Sequence, residues 1–281
     1  MQPYKKLKYF FILCRPLNVV IGMLSIFIGA FITGTVYPLL KVTLACASGG
    51  LIAAAANVIN DYYDVEIDKI NKPNRPIAAG FVTPKQGFAY SLILFFLGIS
   101  LGYMINWLAF VISIFCSMLL FLYSYHLKRT VLWGNIAVSL LTALAFIYGG
   151  IAVKRITYAL IPAIFSFFYH LGREIIKDIE DIAGDRTDKI QTLPIKYGEG
   201  VARQTATWIY VFLIILTSVP YYFKIFGLLY LIIVLFIVDL IVVYVLFSMW
   251  RNPESNNLSR LSMILKLNMF AGLLAIYLGK Y

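Results

Sequence analysis

Apolar residues in this chain come in long unbroken runs, not in stripes with a polar opposite face. Nine runs lie near residues 17–38, 42–63, 86–104, 107–125, 131–153, 156–172, 202–222, 225–248 and 260–279. Each is about as long as an α-helix must be to cross the hydrocarbon of a bilayer. They lack the dyad alternation of barrel strands, and in lipid every backbone polar group needs an internal partner, so the runs predict helices. The first run follows Lys5, Lys6 and Lys8 as a signal peptide would. It is too long for one and no small-residue cleavage site follows, so it is expected to be a span. The predicted fold class is all-α: a polytopic membrane protein of nine transmembrane helices, forming a single domain over residues 1–281.

Composition narrows the picture. Of 281 residues, 61% are hydrophobic and 13% charged, where a soluble domain carries about 25% charged residues. With a mean hydropathy of +0.85, there is too little polar surface for a water-soluble globule, and lipid must solvate most of the chain. Cys14, Cys46 and Cys116 sit in or beside apolar runs without CxxC spacing, so they are expected to be packing residues. The net charge of +11 is unevenly placed. Alternating the spans puts 19 of the 24 Lys and Arg on the side of the N-terminus and five on the other. By the positive-inside rule the N-terminus is expected in the cytoplasm and the C-terminus outside, in a multi-pass cell-membrane protein.

The acidic residues are still more segregated. Twelve of 13 fall on the same, cytoplasmic side; Asp239 alone lies within a span. Nine cluster in two stretches. The first reads Asn57-Val-Ile-Asn60-Asp61-Tyr-Tyr-Asp64-Val-Glu66-Ile-Asp68, and on a helix Asn57, Asn60, Asp64 and Asp68 fall within about 80° of one another, with Asp61 beside them. In the second, Glu174, Asp178, Asp181 and Asp185 fall within about 60°. Stacked like charges repel and are costly at a membrane, so cationic groups are expected to offset them. Hard oxygen donors without a His/Cys cluster point to Mg²⁺, which typically completes its shell with substrate phosphate oxygens. Lys72, Arg75, Lys128, Arg129, Arg173 and Lys177 are placed to neutralise a diphosphate. Each acidic stretch leads into a long loop with a turn signal, Lys72-Pro-Asn-Arg75-Pro and Thr192-Leu-Pro, so 57–85 and 173–200 are expected to combine an acidic motif with a lid.

At these residues the chain resembles the UbiA superfamily of intramembrane prenyltransferases. The first family motif, NDxxDxxxD with a K-P-x-R-P turn, matches Asn60 to Asp68 and the turn that follows. The second, DxxxD followed by T-L-P, matches Asp181 and Asp185. The resemblance implies nine helices around a central cavity and two Mg²⁺ ions bridging a prenyl diphosphate to the two motifs. On this reading Asp64, Asp68, Asp181 and Asp185 are the catalytic carboxylates. Candidate metal ligands are Asn60, Asp64, Asp68, Asp178, Asp181 and Asp185. Candidate substrate-binding residues are Asn57, Asn60, Asp61, Arg75, Lys128, Arg15, Lys72, Arg173 and Lys177. By the resemblance Arg75 and Lys128 hold the diphosphate. Arg15, where the first span begins, is the candidate for a phosphate on the acceptor.

Residues 172–185 are most similar to the family branch that adds a second geranylgeranyl chain to geranylgeranylglyceryl phosphate in ether-lipid synthesis. The implied partners are geranylgeranyl diphosphate, that lipid acceptor and the surrounding membrane lipids. An aromatic quinone precursor such as 4-hydroxybenzoate or a naphthoate is the alternative acceptor. A cation transporter would also use membrane carboxylates, but its acids would continue to the other face. A CDP-alcohol phosphotransferase would need a D-G-x-x-A-R continuation, absent from both stretches. No nucleic-acid partner is expected, because topology and phosphate account for the positive charge.

Overall fold

The computed structural model describes residues 3–182 and 190–280, with side chains from Leu7 onward. Among the described residues it is all-helical, without strands. The helices are α1 (Pro3–Leu13), α2 (Pro16–Phe31), α3 (Leu39–Tyr63), α4 (Val65–Asn71), α5 (Pro84–Ile105), α6 (Trp107–Tyr125), α7 (Trp133–Ala152) and α8 (Leu160–Glu180). They continue with α9 (Leu193–Tyr197), α10 (Glu199–Tyr222), α11 (Leu228–Arg251) and α12 (Ser255–Leu278). Eight helices are long and apolar enough to cross a membrane; α1 and α2 make a ninth span if the pair, bent by 51°, counts as one.

The bend corrects the first expected span. Pro16 supplies no amide hydrogen and disfavours helical backbone at Arg15, which turns left-handed at φ 49°. The helix then stops at Phe31, not near residue 38, and Gly34 takes a left-handed backbone at φ 97° just beyond. The sixth span ends later than expected: α8 runs past residue 172 to Glu180, so most of the second acidic stretch is helix, as its periodicity predicts. In α11 the residues Val234–Asp239 form a wider, π-helical turn.

Packing sets where the site can form. Helix α3 lies along α5, α7 lies between α2 and α8, and α10 and α12 flank α8. The α2–α7 crossing depends on two glycines. A Cβ on Gly29 would sit 2.0 Å from the Phe146 carbonyl oxygen, and one on Gly149 1.9 Å from that of Ile26. Only hydrogen fits there, and small residues at crossings are how membrane helices bring backbones together. Tyrosine hydroxyls tie the other helices by donating to main-chain carbonyls: Tyr169 to Leu265 at 2.7 Å, Tyr210 to Tyr169 at 3.1 Å and Tyr230 to Thr217 at 2.7 Å. Large apolar residues such as Phe96, Trp208, Phe236 and Phe247 face outward, as they do where lipid is the solvent.

Candidate active site

Both acidic motifs sit where a helix ends, and the two ends are alike. Helix α3 gives way at Asp64 (φ −97°, ψ 8°) and α8 at Asp181 (φ −93°, ψ 5°). The first motif is therefore not one continuous helix: it breaks at Asp64 and resumes as α4. The Asp68 amide still donates to the Asp64 carbonyl at 2.7 Å, so the register survives and the acids stay on one side. A helix C-terminus carries partial negative charge. Carboxylates there are doubly unfavourable unless cations reach them.

At the first end the cations come from three other elements. Arg15, at the bend before α2, pairs with Asp61, and Lys128, beyond α6, pairs with Asp64. Arg75 lies 2.6 Å from Asp68 Oδ2 and 3.2 Å from Asp61 Oδ1. Asn60 donates to Asp64 at 2.8 Å. Asp61, Asp64 and Asp68 are 2%, 3% and 4% exposed, so these charges are compensated by protein and not by water. Burial, with Asp64 and Asp61 nearby, holds the Asp68 carboxyl up at about 6 against the downward pull of Arg75. For Arg75 burial works against the charge, but Asp61 and Asp68 outweigh it and hold the guanidinium above its ordinary range.

At the second end Lys72 is the bridge. From the turn after α4 its ammonium reaches Glu180 at 2.6 Å and Asp181 at 3.4 Å, and Asn71 donates to the Asp181 carbonyl at 3.4 Å. Asn135 of α7 donates to Asp178 at 2.8 Å. Arg173 and Lys177 both pair with the buried Glu174, at 3.1 and 2.7 Å. Asp185 lies outside the described residues. Asn57 accepts from Asn18 at 3.4 Å and donates to the Cys14 carbonyl at 2.9 Å, anchoring the α1–α2 bend to α3.

Arg129 apart, the described candidates, from Arg15 to Asp181, line one cavity of about 690 Å³. From its charged mouth the cavity follows α3 down to Gly49, and its lining includes Tyr148, whose hydroxyl is engaged by Ser48 at 3.0 Å and Ser113 at 2.8 Å. Asp64 to Gly49 spans about 22 Å of helix. Ile21, Ile52, Ile112 and Leu141 belong to the apolar walls. Among the described residues no three His, Cys, Asp or Glu side chains converge into a ready metal nest. The donors are nonetheless hard oxygens at facing helix ends. Mg²⁺ held by one or two carboxylates and completed by phosphate needs no such nest, so the residues fit that ion.

Other polar and aromatic residues take places around or away from the cavity. Tyr62 and Tyr63 pack in an aromatic cluster with Phe88, Phe121 and Tyr125. His126 ends α6, while His170 lines the cavity. Asp239 is buried at the wide turn of α11, where Thr217 donates to it at 3.4 Å. Asn135 and Lys266 escaped notice as cavity residues, because each is a single polar position in an apolar run.

An all-helical frame whose cavity joins a charged, metal-compatible mouth to a long apolar shaft defines a membrane-embedded enzyme for an anionic amphiphile. The model of the UbiA prenyltransferase family matches residues 6–271, so the chain belongs to that family and is a prenyl-transferring enzyme. A digeranylgeranylglyceryl phosphate synthase from Methanosphaera stadtmanae is 36% identical over 279 residues, covering 99% of each chain. The enzyme of that name from Methanocaldococcus jannaschii is 35% identical over 276 residues, covering 98% of this chain and 97% of the other. A solved digeranylgeranylglyceryl phosphate synthase structure, 35% identical, superposes with a TM-score of 0.76 over 98% of this chain and 99% of that one. A UbiA homologue from Archaeoglobus fulgidus solved with GPP and Mg²⁺ shares the fold, with a TM-score of 0.70 at 18% identity over 95% of this chain and 99% of that one.

Proposed function

We propose that the chain transfers a geranylgeranyl group from its diphosphate to the free hydroxyl of geranylgeranylglyceryl phosphate, with the acidic helix ends on the cytoplasmic side. The observation that carries this reading is the cavity, which runs about 22 Å along α3 from two cation-laden acidic ends into an apolar shaft. The diphosphate sits at the mouth and the prenyl chain in the shaft. Asn60, Asp64, Asp68, Asp178 and Asp181 are the residues that would hold two Mg²⁺ ions, which supply charge neutralisation for the departing diphosphate.

The ion pairs prepare a partner exchange. Arg75 and Lys128 turn from their carboxylates to the diphosphate oxygens, and the vacated carboxylates become free to ligate. Lys72 keeps the two ends at a fixed separation. In the transfer, the allylic C–O bond breaks and its electron pair leaves with the diphosphate. The acceptor hydroxyl oxygen bonds to the same carbon, and its proton goes to the released diphosphate. The walls of the shaft keep water from the cation-like centre.

The test is purified protein with Mg²⁺, labelled geranylgeranyl diphosphate and a panel of acceptors, followed for diphosphate release and product. Dialkylated glycerol phosphate is the expected product. Turnover with 4-hydroxybenzoate or a naphthoate, and none with the glycerol phosphate, would replace the acceptor and leave prenyl transfer intact. For orientation, single cysteines at Asn71 and Ser255 should label from the cytoplasmic side only. Labelling from opposite sides would separate the two ends.

A further inference from the structure

Among the described residues seven cationic side chains line the cavity, and six have a carboxylate within ion-pair distance: Arg15, Lys72, Arg75, Lys128, Arg173 and Lys177. The seventh, Lys266 of α12, has no hydrogen bond or ion pair among the described residues. Its strongest electrostatic neighbours, Arg173, Arg15 and Lys177, are all of its own sign. It is half-buried on the cavity face of α12, together with Ser259, Ser262 and Met263. Helix α12 starts beside the end of α8, where Ser255 donates to the Glu180 carbonyl at 3.0 Å. Side chains lean toward the N-terminus of their helix, and a lysine stem carries its charge along apolar surface toward polar surroundings. The ammonium is thereby aimed at the mouth from α12, which packs on α8 and α2. One turn nearer the mouth, Arg173 Nε donates to the Ser262 carbonyl at 3.2 Å, which sets a guanidinium beside it.

An unpaired ammonium in an apolar cavity is costly until an anion joins it. The diphosphate is already served by Arg75 and Lys128 on the other wall. Arg15, the candidate for an acceptor phosphate in the sequence, must stay with the buried Asp61, whose other partner Arg75 serves the diphosphate, whereas Glu174 keeps Lys177 when Arg173 turns to a phosphate.

We infer that Lys266, with Arg173 beside it, forms the subsite for the phosphate monoester of the acceptor lipid, on the wall facing the diphosphate. This rests on the acceptor proposed above. The two anions are then held apart by the width of the cavity, and the acceptor hydroxyl lies between them, facing the allylic carbon.

The experiment compares wild type, Lys266→Met and Lys266→Arg with geranylgeranyl diphosphate and geranylgeranylglyceryl phosphate, or with the dephosphorylated lipid alcohol. Methionine keeps the length and suits a membrane helix, and arginine restores the charge. Lys266→Met should raise KM for the phosphorylated acceptor about 10- to 100-fold, the scale of one lost charged hydrogen bond. KM for geranylgeranyl diphosphate should stay unchanged, and Lys266→Arg should recover most of the loss. The dephosphorylated acceptor should be poor with wild type and no poorer with Lys266→Met. Without prenyl diphosphate, the phosphorylated acceptor should raise the melting temperature of wild type and not that of Lys266→Met. Equal effects on both substrates, or a wild type indifferent to the acceptor's phosphate, overturns the subsite. A wild type that never uses the glycerol phosphate overturns the acceptor reading itself, and is recognised without any variant.

Discussion

The ends of α3 and α8 share a backbone conformation but not an electrostatic environment. At α3, Asp61, Asp64 and Asp68 are almost wholly buried, and their partners come from the α1–α2 bend, the turn after α4 and the segment after α6. At α8, the Asp181 side chain is 28% exposed and shares one lysine with Glu180. The deeper Glu174 takes both Arg173 and Lys177. A buried carboxylate with cations from three directions is held in place by the whole fold, since removing one partner leaves an uncompensated charge in low dielectric. A carboxylate in contact with water is held less tightly and costs less to re-ligate. The first end therefore acts as the rigid half of the site and the second as the adaptable half, with Lys72 joining them.

The largest effect should come from neutralising either end. Asp64→Asn and Asp181→Asn should each lower turnover by at least about 100-fold, the scale of one lost electrostatic contact to a leaving group. Diphosphate release measures both. If Asp181→Asn stayed active, the second end would be an accessory and the likeness of the two would be only structural. Next in size is Gly149→Ala, which pushes α2 from α7 and with it the Arg15 guanidinium from Asp61. A thermal or denaturant titration in detergent should show a loss of about 1–3 kcal/mol, and the remaining activity should fall through the first end alone.

Lys72→Met tests the link between the ends. Its side chain is about a third exposed, so the pair is partly screened, and roughly a tenfold loss in kcat/KM for the prenyl diphosphate is expected. A larger loss would make Lys72 a direct ligand of the diphosphate. The smallest effect belongs to Glu66, inside the first motif. Its side chain is 77% exposed and, among the described residues, paired only with Lys69 at 2.7 Å. Glu66→Gln should change stability by about 0–1 kcal/mol and leave turnover untouched. A drop in rate would mean that acidity at this end matters irrespective of direction.

Hydropathy and charge segregation are readable along the chain, because a helix in lipid satisfies its own backbone and must show an apolar exterior whatever its neighbours are. The spans, the two acidic stretches on one side and the preference for a hard divalent ion follow from that alone. The break at Asp64 was not legible, since a helix and a helix interrupted for one residue have the same periodicity. Nor were the pairings. Arg15 meets Asp61 across 46 positions, Lys128 meets Asp64 across 64 and Lys72 meets Asp181 across 109. Glu66 and Asp61 are both acids of one motif, yet one is solvated and the other buried. Counted along the sequence, Lys266 is the last basic residue of a cytoplasmic connection; in the fold it lies well inside α12, facing the cavity. Burial and partner choice depend on which helices approach one another. Here that is decided by contacts such as Gly29 and Gly149, where two backbones meet and distant side chains are carried into one cavity.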